Sequence, residues 1–287
     1  MNYRHAFHAG NFADVVKHAV LTRLLVHLCS KPAAYRAIDT HAGAGLYDLA
    51  GPEAARSSEW HGGIARLLGA RIDDNLRALL APYLEAVAAC NPLERLTTYP
   101  GSPALVRAFL RPQDRLVACE LEPNAAERLA RNFAHDRRIK AIAIDGWTAL
   151  NAYVPPKERR GLVLIDPPFE EGADFSRLAQ GLEGAHRKWA SGIYLMWYPI
   201  KAREPPDTLA RRLRRSGIGK ILRAEISIAP RIASPQVESR LSGCGLIVVN
   251  PPWTLEQELQ IMLPGLAAIL AGADQGGSRL EQISGEM

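Results

Sequence analysis

Apolar residues along this chain fall into two rhythms. Val16, Val20 and Leu24 recur at helical spacing, which predicts a helix over about 12–29, with Asn11 and Asp14 as a variant capping box at its start. Lys17 and His18 lie beside that stripe. Short apolar runs bounded by turn residues follow at 35–39, 115–120, 140–144, 161–166, 192–197, 221–229 and 245–250, and each predicts a strand. Helical patterns at 103–110, 123–134, 173–189 and 207–216 separate most of them. Strands alternating with helices predict an α/β protein built on an open, doubly wound, mostly parallel sheet.

One interval breaks the alternation. Residues 46–98 carry no strand pattern, whereas Leu76, Leu79, Leu80, Tyr83, Leu84 and Val87 fall at helical spacing, with Pro82 expected to kink their helix. The stretch reads as a helical insertion between the first strand and its helix, which resumes at Ser102-Pro103. Residues 1–287 are expected to form one domain carrying this insertion, with a frayed tail at 275–287.

Composition narrows the class. Of 287 residues, 47% are hydrophobic and 23% charged, which excludes a disordered chain or a small disulfide scaffold. No apolar run is long enough for a membrane span, and the first residues lack the apolar core of a signal peptide. Four scattered cysteines read as reduced thiols in a cytoplasmic protein. His5 and His8 match no strong zinc pattern, and no metal is expected. The net charge of +5 is uneven: Lys201–Arg223 holds eight basic residues against Glu204 and Asp207. A helix capped by Asp207 and ended by Gly217 is expected there. A second cluster comprises Arg128, Arg131, Arg137, Arg138 and Lys140. Each cluster is either a solvated face or a surface for a phosphate backbone, and two of them favour the latter.

Acidic residues close three successive strands. Asp39 runs into the glycine-rich turn THAGAG, where Gly43 and Gly45 let backbone approach a ligand. Glu120 ends the second strand, where a carboxylate can accept both ribose hydroxyls. It lies 81 residues after Asp39, or 28 once the 53-residue insertion is set aside, against about 20 in the usual unit. Asp145 ends the third, in reach of an adenine amine. Any one of them could simply cap a helix or hold a turn. Together, with no Walker lysine, they describe a site for an adenosine lacking phosphates.

Asp166-Pro167-Pro168-Phe169 follows the fourth strand directly. A Pro-Pro pair often does no more than end a strand. This loop can do chemistry as well. The amine of a nucleobase is a poor nucleophile because its lone pair is delocalised into the ring. A carboxylate and the Pro167 carbonyl, accepting its two N–H bonds, would localise that pair towards a methyl donor, and Phe169 would offer a stacking face. Asn250-Pro251-Pro252-Trp253 is a second such loop. It follows a strand expected to run antiparallel, so its end points away from the crevice, and Asn250 reads as structural.

With these residues in place, the chain resembles the class I methyltransferases that use S-adenosylmethionine, and among them the bacterial J-type family acting on large-subunit ribosomal RNA. The likeness rests on YRHAFHAGNFADVVKH (3–18), DTHAGAG (39–45), YPGSP (99–103), DGW (145–147), LIDPPFE (164–170) and WYP (197–199), and runs from about residue 3 to 268. It implies a Rossmann-like, seven-stranded fold and methylation of N6 of one adenine in 23S rRNA, adenine 2030. It implies that His18, His41, Ser102, Glu120, Asp145, Gly146 and Asp166 surround S-adenosylmethionine. Asp166 would be catalytic, with Pro167 and Phe169 in its loop, and Tyr3, Lys17 and Phe169 would meet the RNA. The family usually has tyrosine where this chain has Phe169, which keeps the ring and loses a hydroxyl. No obligate protein partner and no membrane are implied. The alternatives are an adenine-N6 DNA methyltransferase, for which no large target-recognition domain is evident, and a non-catalytic RNA-binding protein.

Overall fold

A computed structural model describes residues 5–93, 95–170, 173–228, 241–272 and 276–284. Helix α1 (Phe12–Cys29) opens the fold, and Asn11 caps it by accepting the Asp14 N–H at 2.9 Å. It is buried on nearly every side, because the main sheet covers one face and the insertion another.

Strand β1 (Arg36–Asp39) enters the sheet, and the chain then leaves it for the insertion. There the expectation needs correction. Residues 46–98 are not purely helical: β2 (Leu46–Asp48) and β3 (Thr98–Pro100) pair antiparallel at its base. Three residues are too few for an alternating pattern to be visible in sequence. Above the ribbon stand α2 (Pro52–Ser57), α3 (Ile64–Gly69) and α4 (Asp74–Ala89), and α4 continues through Pro82. The Asn91 side chain latches the end of α4 to β3, accepting the Thr97 and Thr98 N–H groups and donating to Val87 and Thr98 carbonyls. Leu76, Leu80, Tyr83 and Val87 join the same apolar core as α1.

The chain then alternates as expected. It passes through α5 (Ser102–Phe109), β4 (Arg115–Glu120), α6 (Pro123–Phe133), β5 (Ile139–Ala143) and α7 (Gly146–Tyr153). Next come β6 (Gly161–Ile165), α8 (Asp174–Lys188), β7 (Ile193–Ile200), α9 (Glu204–Arg214), β8 (Ile221–Ser227), β9 (Gly243–Val249), α10 (Leu255–Ala271) and β10 (Gly277–Ser284). The sheet order is β10-β8-β9-β7-β6-β1-β4-β5. Strands β5, β4, β1, β6 and β7 are parallel, and β9 runs antiparallel to β7 and β8. From β1 the chain winds one way to β4 and β5 and the other way to β6 and β7. The carboxyl ends of β1, β4 and β6 therefore border one crevice, where open α/β sheets bind ligands.

The sheet has eight strands among the described residues, because part of the expected tail is ordered. β10 pairs antiparallel with β8 over Gly277–Ser284. Its residues are exposed or half-buried apart from Ile283, so it lacks the buried alternation that marks a strand in sequence. Charge anchors it. Arg223 is 1% exposed and reaches Glu225, Asp207, the Tyr198 hydroxyl and Glu281 of β10.

The same network corrects the reading of α9. The helix begins at Glu204, with Pro205 and Pro206 in a first turn that needs no N–H partners. Asp207 is not its cap; it binds Arg203 and Arg223 at 3.1 and 2.8 Å. Arg203, Arg212, Arg214 and Arg223 all pair with carboxylates, so half of this basic cluster holds the fold together. Replacing Arg223 with alanine is expected to cost about 3 kcal/mol in urea unfolding, the low end for a broken buried pair because Arg203 still reaches Glu225. A loss under about 1 kcal/mol would mean that Arg223 does not anchor this edge.

Candidate active site

A cavity of about 540 Å³ opens at the crevice, a size suited to a small ligand. Glu120, at the end of β4, lies on its wall with both oxygens fixed by backbone: Oε2 accepts the Gly43 N–H at 2.8 Å and Oε1 the Glu122 N–H at 2.7 Å. Gly43 and Gly45 have φ of 60° and 78°. A Cβ at Gly43 would lie 2.0 Å from the Tyr47 hydroxyl, and one at Gly45 2.4 Å from the Phe133 ring. These glycines make room for aromatic packing as well as for the turn.

Asp145 precedes α7 and caps it, its Oδ2 accepting the Thr148 N–H at 2.8 Å, while Oδ1 faces Arg177 at 3.8 Å. Gly146 starts that helix against the β1 loop. A Cβ there would sit 2.3 Å from the Thr40 carbonyl and 2.6 Å from the His41 ring. His41 is held by Thr40 Oγ1 at 2.8 Å and by Trp147 edge-on, and burial lowers its pKa to about 4. It is neutral at pH 7.

The floor is ionic. Lys17, 4% exposed, bridges Asp14 at 2.8 Å and the Oδ2 of Asp166. Burial alone would lower the Lys17 pKa, but the two carboxylates outweigh it and hold the ammonium well above its ordinary value. Burial likewise pushes Asp14 up, and Lys17, with help from His5, leaves it well below the carboxylate range. The neighbouring His18 is brought down to about 3 by burial, so it is neutral. Its Nδ1 meets the Tyr99 hydroxyl at 2.7 Å, while Nε2, buried at the cavity, has no hydrogen-bond partner.

His18, His41, Ser102, Glu120, Asp145, Gly146, Asp166, Pro167 and Lys17 all line this one cavity. Phe169 does not. Its ring packs on Phe175 and Trp197, at centroid distances of 4.9 and 5.7 Å, because these aromatics offer it an apolar seat. Tyr3 lies outside the described residues. Asn250 sits at the opposite end of the sheet, its amide donating to the Ala190 and Gly192 carbonyls. His5 and His8 each face a carboxylate, Asp14 and Glu59.

Sequence reasoning underrated Asp14. It reads as a cap partner, but it also collects His5, Lys17 and the Gly10 N–H. Its spacing of three from Lys17 was the available signal. Asp39 lies just behind the cavity, where Ser102 donates to it at 2.6 Å.

Two comparisons with known proteins decide the family. The family described as "Ribosomal RNA large subunit methyltransferase D, RlmJ" matches residues 31–284. "Ribosomal RNA large subunit methyltransferase J" of Escherichia coli is 38% identical, over 99% of both chains. The chain belongs to the RlmJ family. The Haemophilus influenzae protein of the same name is 36% identical over the full length of both. A crystal structure of a Legionella pneumophila protein aligns with a TM-score of 0.85 at 32% identity, covering 96% of this chain and 98% of that one. The sheet and its crevice are those of a class I methyltransferase, with β10 added. No helix among the described residues is long and apolar enough to cross a membrane.

Burial raises the Asp39 pKa to about 7, against the opposing Ser102 hydrogen bond and with help from the Asp166 charge. A carboxyl whose folded value is raised stabilises the fold below its unfolded value near 4, and that stabilisation fades as pH rises through about 7. Asp39→Asn keeps an acceptor for Ser102 and removes the titration. Denaturation at pH 5 and pH 8 is expected to show the variant gaining on the wild type by on the order of 3 kcal/mol at the higher pH. An equal pH dependence would contradict the raised value.

Proposed function

We propose that this RlmJ-family methyltransferase uses S-adenosylmethionine to methylate N6 of an adenine in 23S rRNA, with Asp166 as the catalytic residue. One observation carries the reading. Asp166 Oδ2 is held by Lys17, while Asp166 Oδ1 and the Pro167 carbonyl accept no hydrogen bond among the described residues. Among the described residues two acceptors thus stand free, side by side in the chain, in the cavity of Glu120 and Asp145.

The residues present fit the methyl donor. Glu120 would take the ribose hydroxyls and Asp145 the adenine amine. His18, with its orphaned buried Nε2, His41, Ser102 and Gly146 would complete the cradle. S-adenosylmethionine would supply a methyl group made electrophilic by its sulfonium. The protein's part is orientation. Asp166 Oδ1 and the Pro167 oxygen accept the two N6 hydrogens, which turns the amine's lone pair out of conjugation and towards the methyl. Lys17 keeps the carboxylate from rotating away. Pro167 and Pro168 stiffen the loop, so the carbonyl is aimed before substrate arrives.

The RNA must present its adenine unstacked. Arg128, Arg131 and Arg177 on the cavity wall would hold flanking phosphates. Tyr3 and Phe169 are the residues proposed to meet the target nucleotide, and for Phe169 this requires its ring to leave the Phe175 and Trp197 seat; Lys17, expected beside them, is taken up by Asp14 and Asp166 and acts through the latter. The position, adenine 2030, rests on family resemblance. A DNA substrate is less well supported, since both relatives are named for ribosomal RNA.

The test is transfer of labelled methyl to unmodified 23S rRNA, with duplex DNA alongside and nucleoside digestion of the product. N6-methyladenosine is expected on the RNA alone. Asp166→Ala is expected to cut transfer at least about 100-fold while RNA binding persists. Label on DNA would overturn the substrate, and an unaffected variant would overturn the catalytic assignment.

A further inference from the structure

Three residues of the basic cluster, Arg211, Arg212 and Arg215, gather at a second groove, of about 590 Å³, between α8 and α9. Its walls carry Arg187, Arg211, Arg212 and Arg215. A single carboxylate lies among its lining residues, Glu183, and Arg212 takes both its oxygens at 2.8 Å. Arg211 donates to Thr208 and stands 3.9 Å from the exposed Glu204. Arg187 and Arg215 are exposed and pair with no carboxylate among the described residues. Four guanidiniums against Glu183 and the neighbouring Glu204 leave a surplus of positive charge that suits an anion. The planar fork of arginine matches phosphate oxygens in particular.

Helix α8 connects this groove to the candidate active site. Asp174 and Arg177 in its first turn line the cavity, and Arg187 near its last residue lines the groove. The helix is about 22 Å long, and Arg177 and Arg187 lie about 80° apart around it, on one half of its surface. That span corresponds to about six phosphates of a duplex strand.

Asn250-Pro251-Pro252-Trp253 brings an aromatic to the same end of the sheet. The Asn250 amide binds the loop after α8 through Ala190 and Gly192, and its N–H binds the Lys220 carbonyl in the loop after α9. Trp253, carried by this latch, is 82% exposed. A basic groove and an open aromatic ring at one end of a domain are the pair of features with which proteins hold nucleic-acid strands.

We propose that the α8–α9 groove is a second docking site for the substrate RNA. It takes backbone phosphates about 20 Å from the target adenine, with Trp253 as a stacking face for an unpaired base. This rests on the ribosomal RNA reading above. It also gives the tetrapeptide after β9 a use that its distance from the cavity denies it in catalysis.

The test compares two RNA ligands in fluorescence anisotropy and single-turnover methylation. One is a short hairpin with the target adenine; the other is a longer 23S fragment extending past it. For Arg187→Glu/Arg215→Glu, binding of the long fragment is expected to weaken at least about tenfold, and the slope of log K against log salt to fall by about two. Methylation of the short hairpin stays within about twofold of wild type, since neither residue lines the cavity. Trp253→Ala is expected to weaken the long fragment several-fold with no change in salt slope. Unchanged binding of the long fragment by the double variant would overturn the proposal, as would an equal loss on both ligands. Failure of the wild type to methylate either RNA would overturn the ribosomal RNA reading, and this proposal with it.

Discussion

A buried ammonium between two carboxylates holds this molecule's working parts together. Lys17 belongs to α1, Asp14 to the turn before it on the same helix, and Asp166 to the loop after β6. A charge so deeply buried is tolerated only when it is paired and hydrogen-bonded, because desolvating it alone costs several kcal/mol, on the order of 5. Two acids against one base satisfy that condition and leave one negative charge over, at the cavity. The pairing also fixes geometry, since α1 cannot shift against the sheet without stranding a carboxylate. Through Asp14 it extends to His5 and Gly10, so the segment before α1 is tied to the same centre.

The architecture explains why this centre sits where it does. Parallel strands point their carboxyl ends one way, and the reversal at β1 opens a crevice between β4 and β6 that helices do not fill. Glu120 and Asp145 reach it from one half of the sheet and Asp166 from the other. The insertion stands behind α1 and buries it, which keeps water away from Lys17 and leaves His18 neutral, while Gly146 and Trp147 close over the neutral His41. A neutral wall beside an anionic loop suits a cationic ligand.

Much of this was legible in the sequence, because the signals were local. Each of the seven expected strands is present, and the capping of α1 by Asn11 is visible in the run AGNFADVVKH. The acids at strand ends were found for the same reason: a strand's end is marked by its own turn residues. Contacts between distant segments were not legible. β2 and β3 are three residues each and pair across fifty others; β10 depends on Glu281 meeting Arg223, far away in the chain. Charge counting took Lys201–Arg223 as one cluster for that reason, since a residue count cannot tell an arginine that faces solvent, such as Arg215, from one buried under a strand, such as Arg223. Phe169 shows the limit for the site itself. Its position in the loop is evident from sequence, but the competing attraction of Phe175 and Trp197 is not.

We propose that Lys17 acts through Asp166, by orientation, and not by holding the methyl donor. The most direct measurement is the single-turnover rate of methyl transfer for Lys17→Met, with the affinity for S-adenosylmethionine measured separately on the same variant. Transfer is expected to fall about 100-fold while cofactor affinity changes by no more than about threefold. Transfer at the wild-type rate, or a loss fully matched by lost cofactor affinity, would contradict it.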